Sequence, residues 1–174
     1  MESKIQLNPI QVSSTIDVAA DVQIIKADLE NKKHALDIVK IVDLFARDPM
    51  GQDEPLEEEI RVDMIAEMKK IPTTMTYIAY HNDEPVGIVT CFIGFSTFTA
   101  SKTFKIHDVA VHPEARGMGV GTKLLNKVKE EAEEMGCSKI TLEVRTDNPA
   151  KKLYEREGFE YGEPKWWFMT QDLN

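Results

Sequence analysis

Three glycines at alternate positions, Gly117, Gly119 and Gly121, constrain the fold of this 174-residue chain more than any other feature. The string RGMGVG follows an apolar segment, DVAVHP, and precedes a stretch whose apolar residues recur at helical spacing. Glycine is favoured where a backbone must turn sharply or approach a ligand closely. A strand, a glycine turn and a helix in this order predict a helix that begins at the turn and packs back onto a sheet.

A turn of this kind suits a phosphate group. The N–H groups of a helix's first turn have no partner within the helix, and the helix dipole adds partial positive charge there. The spacing differs from two common phosphate-binding motifs: Thr122 separates Gly121 from Lys123, unlike a P-loop, and the dinucleotide motif GxGxxG lacks its last glycine. A turn that only caps the helix is the alternative to a phosphate site.

The periodicity of apolar residues predicts an α/β (α+β) fold in the order βααβββαβαββ. Strands are predicted at 22–29, 74–81, 85–96, 102–113, 138–145, 159–162 and 165–173, and helices at 32–49, 56–72, 119–135 and 148–158. Strand-helix-strand steps and hairpins together predict a mixed, mostly antiparallel sheet with helices on both faces. Residues 1–21 are predicted to form a flexible N-terminal tail, and residues 22–174 a single domain.

Composition argues against several classes of function. Hydrophobic residues make up 42% of the chain and charged residues 29%, as in a globular domain with a core. The net charge of −9, without a basic stripe, argues against a nucleic-acid partner. No apolar run is long enough to cross a membrane and no secretory signal is evident, so the protein is expected in the cytoplasm. The four histidines and two cysteines lack the spacing of a metal site, and the cysteines are interpreted as buried free thiols.

The string from Arg116 to Gly121 resembles the acetyl-CoA signature (Gln/Arg)-x-x-Gly-x-(Gly/Ala) of the GNAT superfamily of N-acetyltransferases. A second stretch, NPAKKLYEREGF, is similar to that superfamily's landmark of an Asn, a small residue, Leu-Tyr and Gly-Phe. The resemblance covers residues 22–171. One departure is that Asn148 stands two residues before Ala150, where the family often has three, and Asp147 occupies that third position.

The resemblance implies a GNAT fold, in which the fourth and fifth strands, near 104–112 and 138–145, splay apart. It also implies acetyl-CoA as cosubstrate, with the pantetheine arm beside the fourth strand and the pyrophosphate on main-chain amides of the glycine turn. Arg116 is expected to shape the turn and to add charge. The implied cofactor-binding residues are Val109, Ala110, Val111, Arg116, Gly117, Met118, Gly119, Val120, Gly121, Thr122, Asn148 and Tyr154.

The implied reaction transfers acetyl directly to an amine, which requires an oxyanion donor and an acid for the leaving thiolate. A backbone N–H near Val109 is the expected oxyanion donor. Tyr154, at the Leu-Tyr position, is the expected acid, since a phenol with a pKa of about 10 keeps its proton at neutral pH. A tyrosine packed on the core is the alternative.

The reaction also requires a base for the amine, and two residues are candidates. Period two places Lys105, His107, Val109 and Val111 on one face of the fourth strand, and a histidine there accepts a proton near pH 7. Glu143 on the next strand is the other candidate. His107 as a satisfied core histidine is the alternative to a catalytic role.

These patterns predict an acetyl-CoA-dependent N-acetyltransferase that acts on the primary amine of a small molecule. A transferase for a protein N-terminus or lysine is one alternative, and a non-catalytic acyl-CoA-binding sensor is another. Because members of the superfamily often pair, a homodimer is possible, and Trp166 and Trp167 are interpreted as core or dimer packing.

Overall fold

A computed structural model describes residues 21–173. The chain divides into two compact units between Glu143 and Val144. Of the described residues, 21–143 form the first unit, which holds the sheet, and 144–173 form the second unit, which holds one short helix. The predicted tail of residues 1–21 lies, apart from Asp21, outside the described residues.

The first unit is built on a mixed sheet. Its strands, in spatial order, are β1 (Gln23–Lys26), β2 (Thr74–His81), β3 (Glu84–Ser96), β4 (Ser101–Val111) and β5 (Ile140–Thr141). The first four pair antiparallel, while β5 pairs parallel to β4. The mixed, mostly antiparallel sheet predicted from the sequence is therefore confirmed.

The parallel pair is short. It joins Phe104 to Ile140 and Lys105 to Thr141, and no strand of the described chain pairs with the rest of β4 on this side. The fourth and fifth strands therefore separate beyond Lys105, which agrees with the predicted splay. The predicted fifth strand at 138–145 is correspondingly reduced to two residues.

Helices follow the strands as the apolar periodicity indicated. They are α1 (Lys32–Ala46), α2 (Glu58–Lys69) and α3 (Val120–Glu134) in the first unit, and α4 (Lys151–Arg156) in the second. Asn31 caps α1, since its side-chain oxygen accepts the N–H of Lys33 at 2.9 Å. A 3₁₀ turn, Pro113–Ala115, links β4 to the glycine turn.

The two longest helices cover opposite faces of the sheet. Ile38 and Ile41 of α1 are buried in one cluster with Ile78, Ile88 and Ala110. On α3, by contrast, Val120 and Leu124 pack beside Gly87. Gly87 and Ile88 are neighbours on β3, and successive strand residues point to opposite faces, so the prediction of helices on both faces is confirmed.

The two predicted closing strands, 159–162 and 165–173, are wrong. Both segments are irregular in the structure, and no sheet pairing reaches them within the described chain. A strand exists only through hydrogen bonds to a neighbour, which an alternating apolar pattern cannot by itself supply. Trp166 and Trp167 are 85% and 91% exposed, so neither packs in a core.

Candidate active site

The glycine turn connects the end of β4 to the start of α3. Gly117 and Gly119 have φ values of 76° and 80°, in the left-handed region, and Gly119 is the N-cap of α3. A residue with a Cβ loses about 1–2 kcal/mol in that conformation, so the backbone path itself requires glycine at these two positions. Local geometry thus explains two of the three alternating glycines, Gly117 and Gly119.

The turn presents main-chain donors at a helix N-terminus. The first bond of α3 runs from the N–H of Lys123 to the carbonyl of Gly119 at 3.1 Å, and Gly119 has no side chain that could cap the amides of the first turn. A Cβ added at Gly117 would meet no atom within 4 Å, so the space beside the turn is open. Amide donors, a helix dipole and open space are the features that a diphosphate requires.

Gly87 is a contributor that the sequence patterns did not single out. A Cβ there would lie 2.9 Å from the carbonyl oxygen of Ala110 and 3.2 Å from side-chain atoms of Leu124 and Val120. Its lack of a side chain lets the first turn of α3 pack directly on the sheet. The position of the amides in the glycine turn therefore depends on a glycine about thirty residues upstream. No turn motif marks it, because it lies inside a strand.

The guanidinium of Arg116 has two partners within the protein. Its Nη2 lies 2.7 Å from Oδ2 of Asp48, and its Nε donates to the carbonyl of Val111 at 3.2 Å. The N–H of Met50, together with the Arg116 guanidinium, lowers the pKa of Asp48 despite an opposing effect of burial. Arg116 thus bonds to the end of β4, while its positive charge is paired with a carboxylate.

A β-bulge at His107 changes which side chains share a face. Thr90 pairs with Asp108 and Cys91 pairs with Ile106, so His107 is the extra residue on β4. The prediction of one common face for Lys105, His107, Val109 and Val111 is therefore wrong. Cross-strand pairs share a face, and Lys105 lies with Phe92 on the α1 face, whereas Val109 and Val111 lie with Val89 and Gly87 on the α3 face.

His107 is accessible, so its interpretation as a core histidine is wrong. Its side chain is 59% exposed, and its ring meets the Phe92 ring edge-on at 5.4 Å. Its Nε2 lies 4.0 Å from Oδ2 of Asp108. The bulge thus puts an imidazole and a carboxylate next to each other on β4.

Asp108 is a candidate that sequence reasoning missed. It lies in register with Thr90 and Thr76, two buried residues whose hydroxyl oxygens are 3.2 Å apart. Burial raises the pKa of Asp108, although the nearby His107 opposes this effect. A carboxylate within the apolar run IHDVAV was the available signal, because charged residues are rarely buried without a role or a partner.

Glu143, the other predicted base, is already engaged. Its Oε1 lies 2.6 Å from Nζ of Lys105, and both side chains are about half exposed. The pair joins β4 to the residues just after β5. The carboxylate would have to leave the Lys105 ammonium group before it could contact a substrate amine.

Tyr154 and Asn148 lie in the second unit. The Tyr154 ring meets the Phe159 ring edge-on at 6.0 Å, and burial raises the pKa of its phenol, so the hydroxyl is protonated at neutral pH. Oδ1 of Asn148 accepts the N–H of Ala150 at 2.9 Å and so shapes the turn before α4. Asp147, next to it, pairs with Arg145 at 2.8 Å.

Residues 21–173 contain no cluster of three or more potential metal ligands. Within the same residues, every helix is too short or too polar to span a bilayer. Both cysteines are free; Cys91 is buried and Cys137 only partly so. Burial, with a contribution from Asp108, raises the pKa of Cys91 to about 12, which makes it a poor nucleophile.

The sequence model of the acetyltransferase (GNAT) family matches residues 38–159, which contain the glycine turn, β4 and Tyr154. An uncharacterized N-acetyltransferase of Methanocaldococcus jannaschii is 36% identical over 86 residues, which cover 48% of this chain and 38% of that protein. The thialysine N-epsilon-acetyltransferase of Bos taurus is 34% identical over 109 residues, which cover 59% of this chain and 63% of that protein. The chain therefore spans between about two fifths and two thirds of the length of these relatives.

A solved structure shares the fold. The crystal structure of a transcriptional regulator from Bacillus halodurans superposes with a TM-score of 0.71 at 25% identity, covering 86% of this chain and 99% of that one. The two chains therefore share the overall fold.

Proposed function

Because the chain belongs to the acetyltransferase (GNAT) family, we propose that it is an acetyl-CoA-dependent N-acetyltransferase acting on a primary amine of a small molecule. The observation that carries this proposal is the array of main-chain donors between Gly117 and Thr122 at the start of α3. Acetyl-CoA would supply an acetyl group activated as a thioester. Residues of this chain would bind the cosubstrate and transfer the protons.

The glycine turn would hold the diphosphate of the cosubstrate through the N–H groups of residues 117–122. Met118 and Val120 would add main-chain atoms to that cradle, with the side chain of Val120 buried beneath it. Beyond Lys105, the outer edge of β4 at Val109, Ala110 and Val111 has no strand partner in the described chain, which suits it to pairing with an extended amide-containing arm. The carbonyl of Val111 is an exception, because it accepts Nε of Arg116. Asn148, which shapes the turn before α4, is proposed as a further coenzyme-binding residue.

We assign the base to the neighbouring pair His107 and Asp108. The His107 side chain is 59% exposed, and its Nε2 lies 4.0 Å from Oδ2 of Asp108, so an incoming amine can reach both groups. Asp108 would hold the incoming ammonium group or orient the imidazole, and its raised pKa makes it a better proton acceptor than an ordinary carboxylate. Glu143 is the weaker candidate, since its carboxylate is already paired with the ammonium group of Lys105.

Tyr154 is proposed as the acid. Its partly buried phenol keeps its proton across the neutral range and so has one to give to a departing thiolate. An N–H on β4 near Val109 remains the proposed oxyanion donor. In this proposal, the pair His107 and Asp108 accepts the proton of the amine, and Tyr154 donates a proton to the thiolate.

The acceptor is proposed to be a cationic small amine. The Bos taurus relative is named for an amine substrate, and this chain carries a net charge of −9 with a carboxylate, Asp108, on the α1 face. A protein N-terminus or lysine is the alternative acceptor. A sensor that binds acyl-CoA without turnover is the alternative from a different class.

A release assay for coenzyme A thiol, with purified protein, acetyl-CoA and a panel of amines, tests the proposal. We expect turnover with at least one small amine and none without an amine. Turnover only with peptides would favour the protein acceptor. Binding of coenzyme A, without turnover on any amine or peptide, would favour the sensor.

We further propose a cytoplasmic location, supported by the two free cysteines. A homodimer of two copies is also proposed, supported by the exposure of Trp166, Trp167 and Phe168. Sedimentation of the purified protein tests the second point: a monomer at all concentrations would contradict it.

A further inference from the structure

The side chain of Arg116 connects the glycine turn to a distant loop. The loop between α1 and α2, residues 47–57, is the α1–α2 loop. Its second residue, Asp48, is separated from Arg116 by 68 positions, yet the two charged groups are 2.7 Å apart. This contact ties the segment that leads into α3 to the end of α1.

Both oxygens of Asp48 are used. Oδ2 receives the guanidinium of Arg116, while Oδ1 accepts the N–H of Met50 at 2.8 Å. The carbonyl of Asp48 accepts the N–H of Gly51 at 2.7 Å, which folds the loop back on itself. The carboxylate is therefore part of a hydrogen-bonded turn, with a side chain only 14% exposed.

Arg116 is anchored at a second point. Its Nε donates to the carbonyl of Val111, the last residue of β4, at 3.2 Å. The guanidinium is thus fixed between the strand end and the loop, and the residue that follows it, Gly117, already has a left-handed backbone. A glycine-rich segment has little stiffness of its own, so an anchored neighbour limits the conformations available to it.

We propose that Asp48 is a positioning residue for the coenzyme turn: by fixing the Arg116 guanidinium, it holds the main chain of residues 117–122 ready for a diphosphate. Asp48 does not touch the ligand in this scheme and acts only through Arg116. The α1–α2 loop and the coenzyme turn are thereby coupled. The inference rests on the proposed function for its effect on coenzyme binding, but not for its effect on the free protein.

The chain offers a matched control. Asp43 also has a side chain that is 14% exposed and also secures the α1–α2 loop, because its Oδ1 accepts the N–H of Leu56 at 3.0 Å. Its other oxygen pairs with Arg47 at 2.9 Å rather than with Arg116. Asp43→Asn therefore weakens the same loop without releasing the guanidinium.

The first measurement uses the free protein. In Asp48→Asn, amide hydrogen exchange at residues 117–122 should become about two- to fivefold faster, the range that corresponds to a partly exposed ion pair. Asp43→Asn should leave those amides unchanged. Arg116→Gln keeps the Asp48 bond to Met50 and should match Asp48→Asn, and the double variant should show no further change. Equal exchange in wild type and Asp48→Asn, or equal effects of Asp48→Asn and Asp43→Asn, would overturn the inference.

The second measurement uses coenzyme A. We expect Asp48→Asn to raise the Kd for coenzyme A and the KM for acetyl-CoA by about two- to fivefold, with kcat at saturation within about twofold of wild type. Tighter binding in Asp48→Asn would overturn the inference, since it would mean that Asp48 competes with the ligand for Arg116. If the wild type binds no coenzyme A, the proposed function fails, while the exchange data on the free protein still decide the role of Asp48.

Discussion

At the scale of single residues, the phenol of Tyr154 has the clearest assigned role. Tyr154→Phe removes only the hydroxyl, so we expect kcat to fall by about 100-fold or more, the usual contribution of a general acid. The Kd for coenzyme A should change little. Steady-state kinetics at saturating acetyl-CoA measure the effect, and Tyr161→Phe, an exposed tyrosine of the same unit, is the control. A kcat within threefold of wild type, roughly the scatter of such comparisons, would remove Tyr154 from the mechanism.

The ionised carboxylate of Asp108 is expected to lower the stability of the folded protein while it serves the proposed reaction. Burial raises the pKa of its carboxyl, so the ionised form is less stable in the folded protein than in the unfolded chain. Stability is therefore lost as pH rises through the folded pKa, and Asp108→Asn should melt a few degrees higher than wild type at pH 8. Thermal melts from pH 4 to pH 8 measure this, and the difference should shrink toward acid, where the wild-type carboxyl is protonated. A lower melting temperature at pH 8 would show that the carboxylate is instead stabilised by its neighbours.

These single residues show where sequence reasoning stops. The motif and the strand pattern identify Tyr154 and His107 as candidates. They do not predict the face on which His107 lies, because a β-bulge leaves no mark in period-two alternation. The sequence also makes Glu143 a candidate base, but it does not predict that Nζ of Lys105 lies 2.6 Å from the Glu143 carboxylate. Ion pairs between residues 38 positions apart cannot be read from local patterns.

At the scale of elements, the packing of α3 on β3 fixes the main-chain amides at the start of α3, which are the proposed diphosphate site. Gly87→Ala would put a Cβ 2.9 Å from the carbonyl oxygen of Ala110 on β4 and 3.2 Å from two side chains of α3, so the backbone of the sheet must shift and the side chains at the start of α3 must give way. We expect a loss of about 1–3 kcal/mol in unfolding free energy and a weaker affinity for coenzyme A. Chemical denaturation and calorimetric titration measure the two effects.

Gly136→Ala is the control for that experiment. Gly136 has a φ of 69° at the other end of α3, and a Cβ there would meet nothing within 4 Å. Its substitution should cost stability through backbone strain alone, about 1–2 kcal/mol, and leave the Kd for coenzyme A unchanged. Equal effects of both variants on the Kd would mean that overall stability, not the position of the turn, controls binding.

Helices and strands are predicted correctly where the apolar periodicity within a single segment is sufficient to identify them. The long helices and central strands have strong periodicity over ten or more residues, and α1, α3, β3 and β4 appear close to their predicted bounds. The C-terminal segments 159–162 and 165–173 have the composition of strands but lack a partner in the described chain. Pairing is a property of two segments, so one segment's pattern cannot establish it.

At the scale of the whole molecule, the net charge of −9 should favour cationic acceptors. A diamine should therefore show a higher kcat/KM than a monoamine of equal chain length, and the advantage should fall by roughly a fewfold between about 20 and 200 mM salt. The monoamine is the internal control. Identical salt dependence for both amines would show that the surface charge plays no part in acceptor selection.

The central claim is that main-chain amides at the start of α3 bind a diphosphate, and a titration of ¹⁵N-labelled protein with coenzyme A, followed by amide chemical shifts, tests it most directly. We predict that the largest and saturable shifts fall on residues 117–122, with smaller ones along the outer edge of β4. Saturable binding that leaves those amides unmoved, or no binding at all, would contradict the account.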